Sequence, residues 1–501
     1  MKRFLILLIL PLALCQCTKQ HSGTFVHPPV DIYGHVTYSD GSPAEGILMC
    51  DGYHFVKTDA NGYYKIDERW KDARFIYYSI PANVKITIGA DGHPDFFKRL
   101  DYNIEEYDFT LEKQKEETKF RLLCIGDPQV CTANNGLARF EAETAPDIRQ
   151  FVKEHPDMPT YAITMGDIVH NEWALYDKIF KLLGYEYLGI PNFNLIGNHD
   201  HISSATDYQA IATYCKFAGP TNYSFDRAGF HIVVTDDINH IEKKSYEAFS
   251  PEVLEWIDND LSYVSSDKSV IFGAHVGFTQ PSEPEIYDKL APFTEARYIA
   301  GNNHDVENYT YNVKGKDIHL HIVGTSNGVD WAGTICGDGA PMGYAVIEME
   351  GNHVTDQYYK PTKLSPEFQI RMYHSEKFPA FSHYTGSETD THFDWNRTPN
   401  ATIFNIWAYD PATWTVTVLE DGVKVSEPVL DNSQYDMWAC TYFYAEKNRA
   451  TGSYCKRKNH MFYYVPVNPA AKIKIVATDE FGHTYVQDQY TDSTKSAGTY
   501  E

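Results

Sequence analysis

Short apolar runs that break off at a glycine followed by an acid or an amide punctuate the middle of this chain. The runs 120–125, 161–165 and 193–196 close on Gly126-Asp127-Pro128-Gln129, Gly166-Asp167 and Gly197-Asn198-His199-Asp200. Short runs bounded by turn-formers predict buried strands, whereas 137–154 and 172–183 predict helices. Strand and helix in alternation predict a mostly parallel sheet covered by helices. Further on, 223–235 reads as a hairpin and 252–261 as a helix turning Trp256 to the core. Strands at 269–273 and 296–300 deliver His275 and the group Gly301-Asn302-Asn303-His304. The segments 318–323 and 344–349 alternate as antiparallel strands do.

The flanks carry a two-residue period instead. Alternation over 30–38, 44–50, 53–58, 63–66 and 75–79, with turns rich in glycine, Asp and Asn, predicts a small β-sandwich over 27–112. The charged stretch 113–117 links it to the core at 119–358. Alternation over 401–409, 413–419, 461–465 and 471–477 predicts an immunoglobulin-like β-sandwich over 365–501. The expected architecture is an α/β four-layer sandwich (α/β/β/α) between two β domains.

Composition narrows the class. A chain of 501 residues, 43% hydrophobic and 22% charged, has room for several globular cores. Its net charge of -25, without a long basic run, argues against nucleic acid as a partner. Anionic phosphates stay admissible if bound cations invert the local charge. The start, Met1-Lys2-Arg3, an apolar run over 4–13, then Cys15 and Cys17, reads as an export signal over 1–17, with lipidation of a cysteine as one outcome. The expected location is a bacterial envelope, as periplasmic protein or outer-membrane lipoprotein, or secretion. Any membrane contact is expected only through that anchor. Cys124 reads as a small core residue; Cys440 and Cys455 flank a polar stretch and offer a pair across a hairpin that their spacing does not demand.

The chemistry lies in the strand-end residues. Asp127 and Asp167, on neighbouring strand ends, would repel each other unless a cation sits between them. Asn198 adds an amide oxygen, and His275 and His304 add imidazoles, which makes a mixed oxygen and nitrogen metal site. Each piece alone is weak, because Gly-Asp is common and Asp often caps a helix. Their order, each fed by a strand, is what carries the reading.

In that order and spacing the chain resembles the calcineurin-like metallophosphoesterases over about 119–355. The flanks resemble the modules of an exported bacterial subgroup, the first of them transthyretin-like. The resemblance implies that Asp127 and His304 hold one cation, Asn198 and His275 a second, and Asp167 bridges them. It also implies that His199 faces the phosphate and Asp200 orients His199. Two positions depart from the family pattern: Gln129 and Asn302 stand where histidines are usual, and both are carried as candidate ligands. A site poor in nitrogen favours Mn, Fe, Mg or Ca over Zn, as one or two divalent ions. His319 and His321 share one strand face and read first as structural residues of it; under a slipped motif one of them would supply the missing nitrogen, with His321 the nearer to the pocket. His170, Trp331 and the glycine-rich loop over 324–344 are expected on the substrate side.

The expected activity is hydrolysis of a phosphoric mono- or diester by metal-activated water, with His199 serving the leaving group. The partner is a small phosphoester or a lipid- or glycan-linked phosphate. The contrasting class is a catalytically silent envelope protein that binds glycans or phospholipid head groups.

Overall fold

The computed structural model describes residues 31–279, 284–329, 333–377, 398–425, 428–446, 455–492 and 495. The expected export segment with Cys15 and Cys17, and Trp331, lie outside the described residues.

Two sheets pack face to face in the middle of the chain. The first has the order Asn192–Leu195, Thr160–Met165, Lys119–Ile125, Gly343–Glu350, His353–Pro361. Its first three strands run parallel and its last two antiparallel. The second has the order Tyr223–Arg227, Phe230–Val234, Ser269–Gly273, Ala296–Ala300, Lys316–Ile322, Glu307–Val313. Its inner four strands are parallel and its edges antiparallel. Leu122, Leu123, Cys124 and Ile125 are all fully buried, as a strand covered on both faces requires. Between the sheets Phe193 stacks on Phe225 with ring centroids 4.0 Å apart, and Phe120 meets Phe230 at 6.0 Å. The core is thus a mixed α/β fold.

Helices Gly136–Ala142, Thr144–Glu154 and Tyr176–Leu183 follow the first two parallel strands. The single helix expected over 137–154 breaks at Glu143, whose φ of -124° is not helical. Helix Pro251–Ser262 starts on a Ser250 side chain that accepts from Val253 N, with proline in the first turn. Its Trp256 is buried in the main apolar core, as expected, and the indole N–H donates to Tyr77 OH at 3.1 Å on the N-terminal sheet. The strand expected at 318–323 is a second departure. It runs parallel to Ala296–Ala300, because the unforeseen strand Glu307–Val313 crosses to the edge and returns beside it.

The N-terminal region forms a three-stranded and a four-stranded sheet, to which strands Phe97–Arg99 and Phe109–Leu111 contribute beyond the expected ones. The C-terminal region forms two four-stranded sheets. There Cys440, ending the turn of helix Met437–Cys440, and Cys455 lie side by side as buried free thiols rather than bridging a hairpin. Among the described residues no helix is long and apolar enough to cross a membrane.

Candidate metal centre

The strands ending at Ile125, Met165 and Leu195 are neighbours in one sheet, and those ending at Gly273 and Ala300 are neighbours in the other. Loops from these ends meet at one edge, where α/β sheets place their sites. His275 Nε2 lies 3.4 Å from Asp167 Oδ1 and 3.1 Å from Asn198 Oδ1. His275 Nδ1 is 3.8 Å from Asp127 Oδ1, and His304 Nε2 is 3.4 Å from Asp127 Oδ2. The ring is oriented by Nδ1–H donating to the Met165 carbonyl at 2.8 Å, which turns Nε2 to the centre.

The glycines of the motifs have a steric reason. A Cβ on Gly197 would stand 2.3 Å from Asp167 Oδ1, and one on Gly301 would stand 2.4 Å from Asp127 Oδ1. Only a bare Cα lets each loop close on the neighbouring carboxylate. The price is backbone strain: Asp127, Gln129, Asp167, Asn302 and His304 all have positive φ, from 28° to 63°. Such strain in residues that carry a side chain gathers at functional sites.

Charge is poorly balanced here. Asp127 is fully buried, and neither of its carboxylate oxygens has a hydrogen-bond partner of good geometry. The backbone N–H of Asn302 faces it and eases its charge only in part. Burial, with Asp167 adding to it, raises the Asp127 pKa against the opposing pull of His275. For Asp167 burial works the same way, but the charge of His275 outweighs it and holds the group below the usual carboxylate range. His275 is driven well above an ordinary histidine, burial opposing and Asp167 prevailing. Burial and Lys456 push His304 down to about 3, so its ring stays neutral. Two carboxylates therefore share one imidazolium, and the orphaned Asp127 oxygens ask for a positive centre. This donor set fits a divalent cation, and its oxygen-rich character suits a hard or borderline one.

The surrounding residues depart from the expected roles in several places. Gln129 is not placed as a ligand: its Nε2 donates to Asp167 Oδ2 at 3.0 Å, since a carboxylate draws the amide's donor side. Asn302 meets Asp127 through its backbone N–H. Asp200 does not orient His199. Its buried carboxylate accepts from Ile168 N, Val169 N, Gly197 N and Tyr176 OH at 2.8–3.3 Å, tying its turn to the loop after Asp167. His199 is held instead by Asn171, at 2.8 Å from Nδ1, and its ring lies 4.3 Å from that of His170. His199 N also donates to Asp167 Oδ1 at 2.8 Å. His321 stands apart, its Nδ1 bonded to Asn308, and with His319 and Arg297 it lines a small cavity against the C-terminal sheets. The glycine-rich loop braces the site: Thr325 Oγ1 donates to the Asp127 carbonyl at 2.9 Å and Asn327 Nδ2 to the Pro128 carbonyl at 2.8 Å.

Some partners were not foreseen from sequence. Asp237 accepts from His275 N and Val276 N at 3.3 and 2.7 Å. Its signal was present, because an acid pair follows the apolar strand Phe230–Val234 just as at the other motifs. From the C-terminal region Lys456 and Lys458 each reach Asp305 at 3.2 Å, next to His304, and Lys456 also bonds the Asn303 carbonyl. Away from this centre, on the N-terminal sheet, exposed His35, Glu106 and Asp108 offer ligand atoms within 4.8 Å of one another and are able to coordinate a divalent ion.

Residues 30–114 match the family described as N terminal of calcineurin-like phosphoesterase, and residues 320–485 match C terminal of calcineurin-like phosphoesterase. The strand-end residues from Asp127 to His304 lie between the two matches. No curated protein matches the chain. Among solved structures it is similar to a purple acid phosphatase, PPD1, from yellow lupin (Lupinus luteus) seeds, at 12% identity and a TM-score of 0.36. The match covers 63% of this chain and 66% of that one, so the chain spans just under two thirds of its relative's length.

Proposed function

We propose that this chain, which belongs to the calcineurin-like metallophosphoesterase superfamily, hydrolyses a phosphoric mono- or diester with one or two divalent cations at the strand-end centre. The observation that carries the reading is the buried Asp127 carboxylate, with both oxygens unpartnered, among Asp167, His275 and His304. Asp127, Asp167, Asn198, His275 and His304 would hold the cations. A cation bound there supplies charge for the phosphoryl oxygens and acidifies a water.

The chain's own residues set the rest. Gln129 and the His199 N–H fix the two oxygens of Asp167. Asn171 holds His199 by Nδ1, which leaves Nε2 as the atom that carries a proton toward the leaving oxygen. The paired rings of His170 and His199 frame one wall of the phosphate site. Mn, Fe, Mg or Ca is the favoured metal, because only His275 and His304 offer nitrogen. Transthyretin-like and immunoglobulin-like flanking modules, an export signal over 1–17 and an envelope location complete the proposal, motivated by the β-period of the flanks and the basic-then-apolar start. The substrate is then an envelope phosphoester, free or linked to lipid or glycan.

The test is turnover of nitrophenyl phosphate and bis-nitrophenyl phosphate, followed by a panel of natural phosphoesters, by protein stripped with chelator and reloaded with manganese. Turnover is expected to return with metal and to vanish in Asp127→Asn. Equal turnover in the variant and the parent would sink the proposal, and metal binding without turnover on any ester would mark a binding protein instead.

A further inference from the structure

A second cleft, distinct from the metal centre, opens where the N-terminal sheets meet the core. It has a volume of about 310 Å³, close to the lower end of small-molecule sites. Trp70 and Arg74 line it from the N-terminal side, and Asp207, Tyr208, Asp236 and His240 from the core.

The polar groups in this cleft are incompletely satisfied. His240 is 6% exposed; its Nδ1–H donates to the Ala205 carbonyl at 3.3 Å, while Nε2 is buried without a partner. That nitrogen is an acceptor waiting for a hydroxyl, and burial, helped by His201, keeps the ring neutral. Asp207 accepts from His240 N at 3.0 Å and is in no ion pair among the described residues; burial and Asp236 push it up to about 6, against a pull from His201. Five carboxylates line the cleft; Asp236 pairs with His201 and Asp51 with His54, both at 3.1 Å, which leaves Asp72, Asp207 and Glu252 against Lys71 and Arg74. Lys71 is taken by Asp72 at 3.6 Å, and the Arg74 guanidinium lies 3.7 Å over the Tyr208 ring. The cleft therefore has a surplus of negative charge, a hydroxyl acceptor and aromatic walls in one enclosed space.

We propose that this cleft binds an amino sugar: its ammonium group faces Asp207, a ring hydroxyl donates to His240 Nε2, and the apolar face of the ring rests on Trp70. An aromatic wall favours the apolar C–H face of a sugar ring, and the carboxylates beside it favour a positive substituent. A bare divalent ion would take up His240 Nε2 but leave the Trp70 wall unused. The site also has a route to the metal centre. Asp236 meets His201 Nε2 at 3.1 Å, and His201 Nδ1 donates to the carbonyl of Gly197, the residue before Asn198.

Calorimetry on the full chain with glucosamine, glucose and calcium as separate probes tests this. Glucosamine is expected to bind saturably in the millimolar range, with glucose weaker by about tenfold. Tyr208→Ala and Asp207→Asn should each weaken glucosamine by about tenfold, with thermal midpoint and nitrophenyl phosphate turnover unchanged. Equal affinity for glucose, competition by calcium alone, indifference to both substitutions, or no binding of glucosamine would each overturn the proposal. Because the readout is binding, it stands or falls separately from the hydrolase reading.

Discussion

The six-stranded sheet carries a buried histidine among carboxylates at each of its ends, and the two clusters are opposites. At the start of strand Phe230–Val234, His231 bonds Asp226 through Nδ1 and Asp260 through Nε2, both at 2.7 Å. Lys268 pairs with Asp226, and the Ser224 hydroxyl donates to Asp260. Beyond the far end of strand Ser269–Gly273, His275 sits beside an Asp127 whose carboxylate oxygens lack a hydrogen-bond partner of good geometry, on loops with positive φ. The residue types are the same in both clusters. What separates a structural cluster from a functional one is the unspent bonding capacity left over.

Substitutions can break that contrast. The largest effect is expected on catalysis: Asp167→Asn should lower kcat/KM by about 10³-fold, as loss of a charge-stabilising group does. The stability of metal-free Asp127→Asn should nonetheless match or exceed that of the parent, because the substitution removes a buried unpartnered acid. His231→Ala should do the reverse, costing about 3–5 kcal/mol in denaturant unfolding while leaving metal binding intact. If both variants lose stability equally, the contrast fails.

The satisfied cluster should also mark the pH profile. Burial opposes the His231 proton, but Asp260 and Asp226 outweigh it and raise the pKa to about 10. Because the folded pKa lies above the unfolded one, this stabilisation is complete below about 6.5 and is lost as pH rises through about 10. Unfolding followed from neutral to alkaline pH should show the loss in the parent and not in His231→Gln. A smaller effect belongs to the open centre: manganese at a hundredfold excess over its Kd should add about 2.7 kcal/mol, and nothing in Asp127→Asn. Smallest of all, Asn171→Ala should lower kcat by about tenfold without changing that metal-induced gain. A full-sized manganese gain in Asp127→Asn would show that the cation sits elsewhere, with the exposed His35, Glu106 and Asp108 group as the first place to look.

Legibility in the sequence followed the range of the interaction. Gly126-Asp127, Gly166-Asp167 and Gly197-Asn198 could be read because an apolar run and the residues after it are local. The parallel strands at 119–125, 160–165, 269–273 and 296–300 were legible for the same reason. Strand Glu307–Val313 is an exception: Tyr309, Tyr311 and Val313 alternate with Asn308, Thr310 and Asn312, a local period that went unread. Asp200 was misread because most of its donors, Ile168 N, Val169 N and Tyr176 OH, come from distant segments, with only Gly197 N from its own turn. Asn171 on His199, Asn327 on Pro128 and Lys456 on Asn303 join segments far apart in the chain, and no periodicity announces such pairs.

The lysine pair at 456 and 458 has a consequence in time. The fourth motif is made well before the residues that steady it, so a chain still leaving the ribosome carries His304 on an unbraced loop. Asp305 and Glu307 stay without these lysines until about 150 further residues have emerged. Competence at the metal centre is thus a late event in the life of each molecule, timed by the arrival of the C-terminal region.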